Sequence, residues 1–153
     1  LHTIRPALPY VRARRGSIVG ISSIAGHRGL PGRTAYSSSK FALQGFLEVL
    51  RTELLGSGVH VLAAAPGFVA TDIRRRSLTG TGEAAGESFR DEGRMMSAER
   101  AAGHIYRAIR RRRRDLVLTA KGRLAVWINK LMPAVADRLV LREFKKEKGH
   151  RLD

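Results

Sequence analysis

The 153-residue sequence predicts an α/β fold built on a parallel sheet. Three observations predict it. Two short apolar runs, Ser17 to Ser22 and Val59 to Ala65, lack polar alternation, as strands covered on both faces do. A long segment, Thr34 to Leu55, places Phe41, Leu43, Phe46, Leu47, Leu50 and Leu54 at helical spacing. Strand, loop, helix and strand follow one another within about 50 residues, which makes a βαβ unit with a right-handed crossover.

The elements follow in order. Leu1, Ile4, Leu8 and Val11 fall on one face of an opening helix, with Arg12, Arg14 and Arg15 near its end and Gly16 as its stop. Pro6 and Pro9 count against it. Ser17 to Ser22 is the first strand. Gly26, Gly29, Pro31 and Gly32 mark the next stretch as loop. Thr34 is expected to cap the long helix, and Gly56 and Gly58 to end it. Val59 to Ala65 is the second strand, closed by Pro66-Gly67. Residues 72–97 carry little periodicity, and a loop of that length inside a domain is usually functional. Ser97 opens a helix reaching about Arg112, and Asp115 to Leu118 is a third strand. A last amphipathic helix spans Leu124 to Phe144, with Pro133 bending or interrupting it. No internal repeat is present.

Composition sets bounds. Hydrophobic residues make up 43%, enough for a core. The absence of cysteine removes disulfides, thiolate metal sites and cysteine nucleophiles. No apolar run approaches the roughly 18–20 residues that cross a bilayer, and no secretory leader pattern opens the chain. The net charge is +16, and its two halves, residues 1–80 and 81–153, carry +8 each. Such a charge invites anionic partners. Arg110 to Arg114 is the strongest nucleic-acid feature, but it closes a helix, where cations meet the helix dipole, and no aromatics interleave it as stacking platforms. Arg74, Arg75 and Arg76 read as a solvated lid, or as a contact for an acidic substrate or cofactor phosphate.

The chemistry concentrates in Ser22-Ser23 and in Tyr36-Ser37-Ser38-Ser39-Lys40. Tyr36 and Lys40 stand four residues apart and share a helix face. Tyrosine is a poor acid or base near neutrality, with an ordinary pKa of about 10. A cation one turn away favours the phenolate, which makes the pair a candidate general acid/base for a hydroxyl or carbonyl. Ser23 lies 13 residues before Tyr36, at the carboxyl end of a strand, where parallel sheets bind ligands. Tyr-x-x-x-Lys by itself occurs by chance in many helices as a solvated pair. The serine at a strand end, the Pro-Gly after the next strand and the βαβ order set this one apart. His27 could line the same pocket, although a lone loop histidine is more often solvated. The remaining histidines lack metal-ligand spacing, and no metal site is expected. No nucleophile elbow is present.

The run from Gly16 to Ile73 resembles the catalytic half of the short-chain dehydrogenase/reductase family: Ser-Ser-x-Ala-Gly, Tyr-x-x-x-Lys and Pro-Gly-x-x-x-Thr occur in that family's order and spacing. The likeness extends, less specifically, through the helix from Ser97 and the strand at Asp115. It implies a Rossmann-like, doubly wound sheet of which this chain holds three strands with flanking helices. Residues 1–120 would form the C-terminal part of that domain, and residues 121–153 a basic amphipathic helix and tail. It implies that Tyr36 exchanges a proton with the substrate oxygen. Lys40 would tune Tyr36 and bond the nicotinamide ribose, and Ser23 would polarise the substrate. Pro66, Gly67, Val69 and Thr71 would contact the nicotinamide end of NAD or NADP. The implied reaction is hydride transfer between that cofactor and a small-molecule alcohol or carbonyl compound.

The sequence also departs from the family. The glycine-rich Thr-Gly-x-x-x-Gly-x-Gly turn, the Asn-Asn-Ala-Gly element and the catalytic asparagine have no counterpart in these 153 residues, and Gly20 stands where asparagine is common. The resemblance therefore implies an N-terminally truncated chain, inactive by itself, the later part of a domain of about 250 residues. Its first strand would be an exposed apolar edge.

One other reading stays open: a non-catalytic basic domain that binds an anionic membrane surface or nucleic acid. The last helix pairs an apolar face containing Trp127 with Lys121, Arg123, Lys130, Arg138, Arg142, Lys145, Lys146 and Lys148. Core or homo-oligomer packing is its default role, and peripheral membrane contact through residues 121–148 is the sharper alternative. The expected location is cytoplasmic, with or without membrane association.

Overall fold

The computed structural model describes residues 2–71, 73, 76, 82 and 95–146. Helix α1 (Ile4–Ala13) leads into strand β1 (Ser17–Ile21), a 3-10 turn (Ile24–Gly26) and helix α2 (Thr34–Glu53). Strand β2 (His60–Ala65), the short strands β3 (Val69–Ala70) and β4 (Met96–Ser97), helix α3 (Ala98–Arg110) and strand β5 (Asp115–Val117) follow. Helices α4 (Ala120–Leu131) and α5 (Pro133–Lys146) complete the described chain.

The main sheet is parallel with order β1-β2-β5. Ser17 aligns with His60 and Ile21 with Ala64, while Ala63 aligns with Asp115. Central β2 is buried at all six residues. Its Val61 and Ala63 join Ile18 of β1 and Leu47, Leu50 and Leu54 of α2 in one core cluster, against which Ile4, Leu8 and Val11 of α1 pack. Leu62 and Ala64 alternate to the opposite face and are also fully buried, so β2 is covered on both sides. Its alanines leave room for close approach, and α3 packs against β2 with Ala101 and Ala108 buried. At the amino ends of the strands, buried His60 links β1 to the turn before β5. Its Nδ1 pairs with Ser17 Oγ at 3.1 Å, and its Nε2 donates to the Arg113 carbonyl at 2.7 Å. Arg51 adds bonds from α2 to the carbonyls of Val61 and Arg114.

Gly20 shows why α2 lies so close to the sheet. A Cβ there would stand 2.3 Å from Leu47 Cδ1, and Leu47 has no exposure into which to retreat. Any side chain at this position would require Leu47 to shift.

Several boundaries differ from expectation. Arg33, not Thr34, occupies the cap position of α2: its backbone (φ −133, ψ 39) is non-helical, whereas Thr34 is already in the helix. The predicted last helix is interrupted at Pro133, as expected, and forms two helices. Met132 leaves the helical region (φ −139, ψ 65), as a residue before proline tends to, and Pro133 opens α5. The first of the two begins at Ala120, because the Thr119 side chain accepts from Gly122 N at 3.0 Å and caps it. Strands β3 and β4 pair parallel, Val69 with Met96 and Ala70 with Ser97, an element that the weak periodicity of 72–97 did not announce. The lid reading of Arg74 to Arg76 falls largely outside the described residues, as does Lys148. Pro9 sits inside α1 without ending it.

Candidate active site

The site forms where β1, β2 and β5 end. Past Ile21 the ladder continues for one bond, Ser22 N to Ala64 O at 2.7 Å. Ser22 is buried and its hydroxyl donates to the Lys40 carbonyl at 3.3 Å, tying the strand end to α2. Gly26 allows this approach: a Cβ on it would meet Ser22 Oγ at 2.6 Å and the Lys40 carbonyl oxygen at 2.8 Å. Only a residue without a side chain fits between the turn and the helix.

Ser23 opens the 3-10 turn, and its Oγ accepts from Ala25 N at 3.2 Å. That bond uses the oxygen as acceptor and leaves the O–H to donate. Lys40 Nζ donates to the Ile21 carbonyl at 3.2 Å and lies 5.5 Å from the centroid of the Tyr36 ring. One helical turn thus holds an ammonium between the end of β1 and the tyrosine. Tyr36 is 43% exposed, and its hydroxyl has no protein hydrogen-bond partner among the described residues. Ser37 is buried with its Oγ accepting from Leu30 N at 3.2 Å, and Ser39 donates to the Tyr36 carbonyl at 2.7 Å. Both serve the loop and helix backbone.

Gly67, at the end of β2, packs between its neighbours: a Cβ there would lie 3.2 Å from Thr119 Oγ1 and 3.4 Å from Ile24 Cδ1. Gly122 is tighter still, with Ile24 Cδ1 at 2.5 Å from its Cβ position. Ile24, Gly67, Thr119 and Gly122 therefore draw the three strand ends together. Half-buried Pro66 and Gly67 enter this junction, Val69 lies in β3, and Thr71 is exposed just beyond it. The structure joins Lys40 to Tyr36 and to the β1 end. Ser23 and Tyr36 are not hydrogen bonded to each other.

His27 follows the turn and is half-buried. The Gln44 amide pairs with its Nε2 at 2.8 Å, and Asn129 Nδ2 donates to its carbonyl at 2.9 Å. Burial holds its imidazole below the ordinary histidine value; Asp115 and Glu48 oppose that shift and Lys130 adds to it. Arg28 donates to Asn129 Oδ1 at 3.0 Å and pairs with Asp137, so α4 and α5 are fastened to the loop after β1. Sequence reasoning singled out Ser22 without this tethering role and missed Thr119 and Asn129 in theirs. Thr119 carried a signal, a hydroxyl residue just before a helical run; Asn129 carried none.

A Rossmann-like parallel sheet with its polar constellation at the carboxyl ends of the strands defines a class of ligand-binding α/β proteins. The comparisons with known proteins narrow that class. Residues 1–81 match the short chain dehydrogenase family. Dehydrogenase/reductase SDR family member 7B of Rattus norvegicus is 33% identical over 139 residues, which cover 90% of this chain and 43% of the rat protein. Dehydrogenase/reductase SDR family protein 7-like of Anopheles gambiae is 36% identical over 133 residues, 86% of this chain and 42% of the mosquito protein. A short chain dehydrogenase from Burkholderia cenocepacia, solved in complex with NADP, superposes with a TM-score of 0.73 at 19% identity over 90% of this chain and 52% of its own. A Burkholderia phymatum enzyme solved with NAD gives 0.71 at 21% identity, over 88% and 54%. The chain belongs to the short-chain dehydrogenase family of oxidoreductases, and it spans less than half the length of the curated relatives it matches.

Proposed function

We propose that this chain supplies the proton-transfer side of an NAD(P)(H)-dependent alcohol/carbonyl oxidoreductase acting on a small molecule. The observation that carries this reading is the placement of Lys40 Nζ between the Ile21 carbonyl and the ring of half-exposed Tyr36. A positive charge is fixed beside a phenol that no group among the described residues engages. Tyr36 gives a proton to the substrate oxygen during reduction and takes it back during oxidation. Ser23 donates its O–H to the same oxygen and orients it.

The residues present fit the nicotinamide end of a dinucleotide. Gly67 brings backbone without a side chain to the strand ends, packed against Ile24 and Thr119. The ammonium of Lys40 spends one donor on Ile21, and its others suit a ribose diol. Pro66, Gly67, Val69 and Thr71 would line that end. The cofactor, when bound, supplies or accepts the hydride. Proteins of similar fold were solved with NADP and with NAD.

The 153 residues contain no glycine-rich phosphate-binding turn. By itself the chain therefore binds the dinucleotide weakly or not at all. A calorimetric titration giving micromolar or tighter NADPH binding would overturn this. The catalytic reading is tested by joining the chain to the glycine-rich half of a relative. The folded fusion should interconvert members of a panel of alcohols and carbonyls, and Tyr36→Phe should cut turnover by about 10²–10⁴. Turnover unchanged in Tyr36→Phe, or absent from the folded fusion across the panel, defeats it.

A further inference from the structure

Helix α4 presents the wrong face to solvent for an ordinary surface helix. Leu124, Trp127 and Leu131 follow one another at spacings of three and four, so they form one stripe. They are 61%, 63% and 69% exposed. The side turned toward the protein holds buried Gly122, packed against Ile24, and half-buried Asn129, bonded to the His27 carbonyl and to Arg28. The polar residue is inward and the large apolar ones are outward. That stripe is flanked by Lys121, Arg123 and Lys130, all exposed, and α4 contains no acidic residue. Met132, also exposed, extends the stripe toward α5.

We propose that this face of α4 docks on an anionic lipid surface, lying in the plane of the headgroups. The charge argues for the occupant: a cation-flanked apolar stripe without acids matches a negatively charged interface, where tryptophan and leucine enter the acyl boundary and lysine and arginine stay with the headgroups. The helix lies on the surface and does not cross it. Twelve residues extend about 18 Å, well short of a hydrocarbon core of about 30 Å, and no helix among the described residues is long and apolar enough to span one. The position within the fold agrees. α4 follows β5, at the sheet edge opposite β1.

Trp127 is the only tryptophan in the chain, so its emission reports on this face alone. The full chain is mixed with phosphatidylcholine vesicles, with and without roughly one third phosphatidylglycerol. The expected result is a blue shift and quenching by brominated acyl chains with the anionic vesicles only. L124S/L131S, which keeps the reporter, should weaken partitioning about tenfold or more, and K121Q/R123Q/K130Q should abolish the preference for anionic lipid. Both substitution sets lie on exposed positions, and circular dichroism checks that the helix content is kept. Unchanged emission with anionic vesicles overturns the proposal. So does pelleting without a change at Trp127, which would place the contact elsewhere on this basic protein, and so does equal partitioning to neutral vesicles. A blue shift without lipid that grows with protein concentration would assign the face to a second copy of the chain and also overturn it. None of these readouts depends on turnover.

Discussion

Lys40 donates through Nζ to the backbone carbonyl of Ile21 at 3.2 Å, so one side chain joins the carboxyl end of β1 to the helix that carries Tyr36. Structural and chemical roles therefore divide between two residues one turn apart. Lys40→Met removes a charge-assisted bond on the protein surface and should lower stability by about 0.5–1.5 kcal/mol. Tyr36→Phe removes a hydroxyl that no group among the described residues engages and should stay within about 0.5 kcal/mol of the parent. Denaturant midpoints of the two variants test this. Equal losses would mean that the phenol is a structural group.

Gly20 and Gly45 should respond to alanine with opposite signs. At Gly20 the new methyl meets fully buried Leu47, and overpacking of this kind costs about 1–3 kcal/mol. At Gly45, inside α2 and exposed, a Cβ meets nothing within 4 Å, and the gain in helix propensity is about 0.5–1 kcal/mol. Thermal midpoints of the two variants give the comparison directly.

Arg28 and Asn129 hold the C-terminal helices to the loop after β1. Asn129→Ala should speed amide hydrogen exchange in α4 and α5 while leaving the β1-β2-β5 ladder protected. Exchange measured residue by residue separates that outcome from global loosening, which would show these bonds to be part of the main cooperative unit.

His27 makes the chain sensitive to acid. Burial favours its neutral ring, so the folded state binds the proton only below the pH at which the unfolded chain does, near 6.5. Its neighbours divide: Asp115 and Glu48 pull the other way, Lys130 assists, and the Gln44 amide suits an unprotonated Nε2. Stability is complete above that pH and is lost as the pH falls through the folded value. His27→Gln should flatten this part of the profile. Thermal midpoints from neutral to mildly acidic pH test it, and an equal acid loss in the variant would place the sensitivity elsewhere.

The βαβ core was legible because its signals are local. Unbroken apolar runs marked β1 and β2, and six apolar positions at helical spacing marked α2. The Tyr36 and Lys40 pairing was legible for the same reason, since a helix fixes what residues four apart can share. What escaped depends on contacts distant in sequence. The pairing of β3 with β4 joins residues 27 positions apart across a stretch without periodicity. Asn129 reaches His27 across 102 positions. The apolar periodicity of the last helix was legible, but spacing alone left the direction in which it faces between packing and a membrane surface, because spacing defines a stripe and only tertiary packing decides whether that stripe turns inward. Gly20 looked like a departure from the family; in space it is the clearance into which Leu47 of α2 packs.

The main sheet is tied at both ends by different means. At the amino end one imidazole, His60, links Ser17 of β1 to the Arg113 carbonyl just before β5. At the carboxyl end Gly26, Gly67 and Gly122 let the turns close on one another beneath the polar constellation. A ligand entering there would meet a floor of packed backbone instead of one that it has to assemble.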